Sequence, residues 1–349
     1  MFLQQRSFDK RVTTNQSLKG DKPILNNGLF VSIKKSYYVS TFIQHWKLRD
    51  LICSLSNTAI IHPKQNAIYK FDTKTQRDTK FHSELSFTPT TLDTRGQYMV
   101  VGGQTGIIML KNLATGYFRT YRLGEGMNKS VCVSEWNTKL RVVVCNSDQS
   151  VYVSTIPELE KIQTLKMAAA INYCIASPDG KKLLMASDHG GVYLYHINKY
   201  GLYQEQSSYK VSNEPCISCA WNQSSDMFAV TSQDGFVSVF NIHSGLRLAH
   251  LGSFETRKAK KAARCVQFSS GPIDLLAYTE HVSNIYIVDT RTFETRQIVR
   301  LSPENEDRAI TGFTFSPDCR KLFVALQDHL IELEVDRSER TQFGAGSLI

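Results

Sequence analysis

SPDGKKLLMASDHGGVYLYHI, residues 177–197, holds the pattern on which the fold turns. Ser177-Pro178-Asp179-Gly180 has Pro in the second position and Asp after it, which suits a type I turn. Leu183-Leu184-Met185-Ala186 is a short continuous apolar run. A polar, Gly-containing turn follows, and Val192–Ile197 then alternates with β-branched and aromatic residues at period 2, the signature of a strand. Upstream, Ile171-Asn172-Tyr173-Cys174-Ile175 alternates in the same way. The stretch therefore reads as strands joined by tight turns.

The same order recurs along the chain. The third strand and its turn read QNAIYKF, QTGIIML, DQSVYVS, HGGVYLY, DGFVSVF, VSNIYIV and QDHLIEL, with first aliphatic residues Ile68, Ile107, Val151, Val192, Val237, Ile285 and Leu330. Their spacings are 39, 44, 41, 45, 48 and 45 residues. A period of that length with a local period of 2 fits one four-stranded propeller blade, whereas solenoid repeats of similar length are helix pairs. Seven units fill residues 46–349. The expected fold is all-β, a seven-bladed β-propeller over residues 29–349, after a basic N-terminal tail, residues 1–28, expected to be disordered. The last repeat lacks an evident fourth strand. Either Arg340–Phe343 supplies it, or the apolar segment 29–43, LFVSIKKSYYVSTFI, is borrowed to close the ring.

SPDGKKLLMASDHGGVYLYHI and WNQSSDMFAVTSQDGFVSVFNIHSG (residues 221–245) resemble WD repeats. The tryptophan of that family's dipeptide is replaced in every repeat and no Gly-His dipeptide is present, so the repeats are degenerate. HWKLRDLI (45–52), YKFDTKT (69–75) and ERTQFGAGSLI (339–349) are similar to a fungal and plant group of WD-repeat-like proteins that carry a domain of unknown function. The resemblance implies a propeller and assigns no activity.

Composition bounds the partners. The chain of 349 residues is 42% hydrophobic and 21% charged, with a net charge of +9. Seven basic residues against Asp9 and Asp21 put +5 of this in residues 1–40, which leaves +4 for the rest. The body is near neutral, and nothing in the balance indicates nucleic acid. No apolar run is long enough to span a bilayer, so no membrane insertion is expected. The eight cysteines sit mostly in apolar runs without a disulfide spacing, which points to a reducing compartment, cytoplasm or nucleus.

Catalytic signatures are weak. The nine histidines show no i, i+2 or i, i+4 pair. Cys216-x-x-Cys219 has half the spacing of a zinc knuckle, but positions i and i+3 of a strand face opposite ways, so the thiols should diverge. Val101-Gly102-Gly103-Gln104-Thr105-Gly106 lacks the following helix of a phosphate loop and reads as a hairpin. No cofactor, metal or catalytic residue is assigned.

Two candidate contact sites remain. Arg257, Lys258, Lys260, Lys261 and Arg264 form a basic loop between repeats five and six, suited to an acidic partner. Asp289 and Arg291 in Val288-Asp289-Thr290-Arg291 resemble the box by which WD-repeat receptors dock on a cullin-ligase adaptor, and equally a turn cap. The sequence points to a monomeric, non-catalytic scaffold for other proteins. The alternatives are a ligase substrate receptor and, from another class, an enzyme with an active site at the channel mouth.

Overall fold

The computed structural model describes residues 24–43, 45, 47, 49–82, 84–252 and 262–337. Their backbone forms 28 strands and no helix. The strands sort into seven four-stranded antiparallel sheets, the blades of a β-propeller.

Blade 1 comprises β2 (Cys53–Ser54), β3 (Ala59–Lys64), β4 (Ala67–Asp72) and β5 (Arg77–His82). Blade 2 runs through β6 (Pro89–Arg95), β7 (Tyr98–Gly103), β8 (Ile107–Asn112) and β9 (Phe118–Arg122). In blade 3 the strands are β10 (Asn128–Trp136), β11 (Lys139–Asn146), β12 (Ser150–Thr155) and β13 (Lys161–Lys166). Blade 4 holds β14 (Ile171–Ala176), β15 (Lys182–Ser187), β16 (Gly191–Ile197) and β17 (Tyr203–Lys210). Blade 5 holds β18 (Cys216–Trp221), β19 (Met227–Ser232), β20 (Phe236–Asn241) and β21 (Arg247–Gly252). Blade 6 holds β22 (Ala263–Phe268), β23 (Leu275–Glu280), β24 (Asn284–Asp289) and β25 (Arg296–Arg300). Blade 7 takes β26 (Ile310–Phe315), β27 (Lys321–Leu326) and β28 (Leu330–Val335) from the end of the chain and β1 (Val31–Tyr37) from its beginning.

Burial explains the patterns. The second strands, such as β15 and β27, lie between neighbouring blades and are buried on both faces, so they read as continuous apolar runs. Outer strands β5 and β9 are mostly exposed and mostly polar or aromatic. The core is a ring of inter-blade clusters. Leu184, Leu194 and Tyr209 of blade 4, for instance, pack with Phe228, Val230 and Phe240 of blade 5. Ser177 closes the β14–β15 turn, with Gly180 N donating to Ser177 O at 2.9 Å and Lys182 N to Ser177 Oγ at 2.9 Å.

The ring is closed by the N-terminal alternative. β1 pairs antiparallel with β28 from Val31–Val335 to Tyr37–Leu330. Arg340–Phe343 lies outside the described residues, as do residues 1–23 of the expected disordered tail. Residues 24–28 are placed, beside the outer edge of blade 6. Leu25 N donates to Glu294 O, Arg296 N to Leu25 O and Gly28 N to Arg296 O. That edge is thereby covered.

Candidate functional site: the mouth of the channel

The inner strands β6, β10, β14, β18, β22 and β26 surround the propeller axis. Each is interrupted by a register shift near its first residue, between Pro89 and Thr91, Asn128 and Ser130, Ile171 and Tyr173, Cys216 and Ser218, Ala263 and Val266, and Ile310 and Gly312. A bulge leaves a residue unpaired and re-aims its side chain. The residues so placed are Thr90, Lys129, Asn172, Ile217, Arg264 with Cys265, and Thr311. Lys129, Asn172, Ile217, Arg264 and Cys265 line one cavity at this end of the channel.

The seventh inner strand is nearly missing. β2 has two residues, paired only as Cys53–Ile61 and Ser54–Ile60. The chain just upstream leaves the sheet and enters the channel, where Lys47, Arg49 and Asp50 line the same cavity. Arg49 O accepts a hydrogen bond from Cys265 Sγ at 3.0 Å. A Cβ on Gly312 would stand 2.8 Å from Arg49 O and 3.2 Å from Leu51 N, so the plug passes where only glycine leaves room. Leu51 and Ile52 beyond it are buried, Ile52 in the cluster between blades 7 and 1 with Tyr37, Ile60, Phe71 and Phe323. About 20 Å³ of cavity remains free, space for roughly one or two waters.

Charge around this space is unequal. Four cations, Lys47, Arg49, Lys129 and Arg264, line it with one carboxylate, Asp50. Asp188, from the β15–β16 turn, accepts from Lys47 Nζ at 2.6 Å, Asn172 Nδ2 at 2.7 Å and Lys129 Nζ at 3.3 Å. Burial works against the charge of Asp188, but the hydrogen bonds from Lys47 and Asn172 outweigh it and hold the carboxyl below its usual range. Burial lowers the pKa of Lys129. Burial and the nearby Arg49 lower that of Arg264 to about 10. Deeper in, burial and the neighbouring Asp93 push Asp50 up to about 7, against a hydrogen bond from Tyr173. Asp93 is itself pushed by burial to about 6, although Val133 N donates to its Oδ2 at 2.6 Å.

The sequence-level candidates fall in different places. Arg257, Lys258, Lys260 and Lys261 lie outside the described residues. Placing Arg264 with them in a solvated loop is corrected: it is the second residue of β22, 5% exposed, and donates from Nη1 to Gln233 Oε1 at 2.7 Å. Asp289 and Arg291 are joined to each other, Nη2 to Oδ2 at 3.1 Å and Nε to Oδ1 at 3.2 Å. Asp289 Oδ1 also accepts from Arg291 N at 3.0 Å. Asp72, Asn112, Asn198 and Asn241 cap the corresponding turns of blades 1, 2, 4 and 5 in the same way.

The expected divergence of Cys216 and Cys219 is also corrected. The bulge between Cys216 and Ser218 shifts the alternation by one residue, and both thiols join the cluster between blades 4 and 5. Burial holds both thiols protonated, well above their ordinary pKa. Among the described residues no three His, Cys, Asp or Glu side chains are grouped so as to hold a metal.

The channel-mouth residues Arg49, Lys129, Asn172 and Asp188 were not singled out by sequence. The second position of each inner strand, read in blade register, is the signal that would have found Lys129 and Asn172.

A family model described as an uncharacterised protein domain, DUF2415, matches residues 261–300, the span of blade 6. An uncharacterized protein of Schizosaccharomyces pombe is 25% identical over 323 residues, covering 87% of this chain and 92% of its own length. An uncharacterized protein of Saccharomyces cerevisiae is 21% identical over 234 residues, 56% of this chain, and the match spans 32% of that relative's length. Among solved structures, a chain in the crystal structure of the mitotic checkpoint complex superposes with a TM-score of 0.73 at 14% identity, covering 94% of this chain and 99% of that one. At that identity the likeness concerns the fold alone.

Proposed function

We propose that the protein is a non-catalytic scaffold for other proteins, built on a degenerate WD-repeat propeller and acting inside the cell, in cytoplasm or nucleus. The observation that carries this reading is the entry of the chain's own Lys47, Arg49 and Asp50 into the channel mouth, where about 20 Å³ stays free, well short of the roughly 300–1,000 Å³ of a small-molecule site. The outer surface offers contacts instead. Tyr117, Phe118 and Tyr121, in and beside β9, are each at least half exposed, and a groove of about 250 Å³ opens beside them between Tyr98, Tyr117, Arg119 and Glu158. All eight cysteines are free, in keeping with a reducing compartment.

Affinity purification of the full chain with mass spectrometry tests the reading. Tyr117→Ser, Phe118→Ser and Tyr121→Ser combined should remove a reproducible set of partners without lowering the melting temperature, as exposed positions allow. A chain that retains no partner reproducibly would count against a scaffold. The basic loop is a second proposed contact. Changing Arg257, Lys258, Lys260 and Lys261 to Ala should weaken any partner whose retention falls with salt.

One feature favours the enzyme alternative: burial, with the nearby Asp93, raises Asp50 to about 7, and burial raises Asp93 to about 6. The small free volume opposes it. For the ligase-receptor alternative, co-purification with the adaptor that is lost on Arg291→Ala is the test.

A further inference from the structure

We propose that the channel mouth is a binding site for a compact oxyanion, phosphate or carboxylate, held between the guanidinium groups of Arg49 on the plug and Arg264 on β22. The inference is independent of the scaffold reading, because a free anion can occupy the site in a protein with no partner.

Arg49 is the first ground. It is 8% exposed, yet its Nε and Nη1 have no hydrogen-bond acceptor among the described residues. A guanidinium is always charged and carries five donors in a planar fork. Buried donors are normally satisfied, and a buried charge is normally paired. Asp50, next to it in sequence, does not serve: its carboxyl is held up by burial and by Asp93, with Tyr173 as its hydrogen-bond partner. The other carboxylate at hand, Asp188, is engaged by Lys47, Lys129 and Asn172.

Arg264 is the second ground. It is 5% exposed and lines the same cavity as Arg49. Two like charges share a space with little solvent, and Arg49 adds to the cost of burying the charge of Arg264. Two guanidinium forks converging on one cavity are the geometry by which carboxylate and phosphate oxygens are recognised. The free volume of about 20 Å³ sets the size limit. It admits one or two oxygens of such a group, with the rest of the ligand at the open mouth, and excludes a nucleotide or sugar.

The ligand chemistry has two sources, a free oxyanion or an acidic side chain of a partner. Calorimetric titration of the full chain with inorganic phosphate, and separately with an end-blocked peptide of alternating Asp and Gly, distinguishes them. Both are run against sodium chloride at equal ionic strength. We expect one probe to bind saturably with a single site. Arg49→Met should weaken that binding about tenfold or more, the scale of lost hydrogen bonds to a charged group. The same variant should raise the melting temperature of the unliganded protein, since it removes an unsatisfied buried charge; a purely structural arginine would lower it. Should Arg49→Met fail to fold, Arg264→Gln is read by its binding in the same titration. Absence of saturable binding of either probe to the wild type overturns the proposal without any variant, and so does unweakened binding by the folded variant.

Discussion

Blades 2 to 6 form an arc built from one stretch of chain, whereas blades 7 and 1 form a seam built from both ends of it. In the arc each blade is a local meander, and the inner strand runs six to nine residues with a bulge near its start. At the seam blade 7 takes its outer strand from residues 31–37, and blade 1 keeps two residues of inner strand. The backbone pairing that blade 1 forgoes is offset by burial of Leu51 and of Ile52, the latter between blades 7 and 1, about 1.5–3 kcal/mol for each side chain. Closure and plugging are one device. The chain that seals the ring as β1 continues through Thr41, whose Oγ1 donates to Leu326 O at 2.7 Å, and then turns down into the channel.

Removing residues 1–38 should break the seam most severely. It deletes β1, bares the whole of β28 as an edge and uncovers Tyr37's partner Glu332, a buried carboxylate that accepts from the tyrosine hydroxyl at 2.6 Å. The expected outcome is loss of cooperative unfolding and aggregation on size-exclusion chromatography. A monomeric truncation with an unchanged melting temperature would mean that the arc is stable without closure.

The next effect isolates the plug. Gly312 holds the register position that Ser130, Tyr173 and Ser218 hold in blades 3 to 5. In the arc that position carries a side chain, and at the seam it must not. Gly312→Ala would set a Cβ 2.8 Å from the carbonyl of Arg49, a backbone atom that cannot swing away. We expect a loss of about 1–3 kcal/mol in urea unfolding, the scale of overpacking. Ser218→Ala, in the matching place of the arc, should cost less than about 1 kcal/mol. Equal losses at the two positions would erase the distinction between seam and arc.

The same contrast marks what was legible in the sequence. Ile68, Ile107, Val151, Val192, Val237, Ile285 and Leu330 all fall in third strands, because those strands are packed between blades in a repeating environment that composition records. The seam repeats nothing. HWKLRDLI carries no period, and the placement of Arg49 and Leu51 within it follows from Gly312 and Cys265, more than two hundred residues away. The closing strand remained one of two alternatives since pairing of distant ends leaves no local mark. Bulges account for the rest. Alternation read without them turned Cys219 away from Cys216, and it gave no reason to expect Lys129, Asn172 and Arg264 at a common mouth.

The plug also makes stability depend on pH in a direction opposite to the usual surface carboxylate. In the unfolded chain Asp50 ionises near pH 4, and in the folded chain at about 7. Its contribution is therefore fully favourable below about pH 4 and is lost as pH rises through about 7. Asp93 acts in the same sense up to about 6. Asp50→Asn should flatten this dependence, so that its melting temperature falls less than that of the wild type between pH 5 and pH 8. Identical slopes would show that the carboxyl in the plug ionises as it does in water.

The smallest effect belongs to the arc, and it bears on the candidate adaptor box. Asp289 does in blade 6 what Asp72, Asn112, Asn198 and Asn241 do in other blades. Its side-chain oxygen accepts the backbone N–H two residues on and fixes the turn after the third strand. Arg291 adds a side-chain pair to that carboxylate while its own side chain is 39% exposed. Asp289→Ala should cost about 1 kcal/mol, as loss of a backbone-capping oxygen does. Arg291→Ala should cost about 0.5 kcal/mol or less, the scale of an exposed ion pair. If Arg291 serves only its own turn, its removal leaves the partner list intact and moves the unfolding midpoint less than the Asp289 change. A lost adaptor with an unmoved midpoint is the pattern that separates a docking arginine from a turn arginine, and it would give the regular arc a contact that its repeat does not encode.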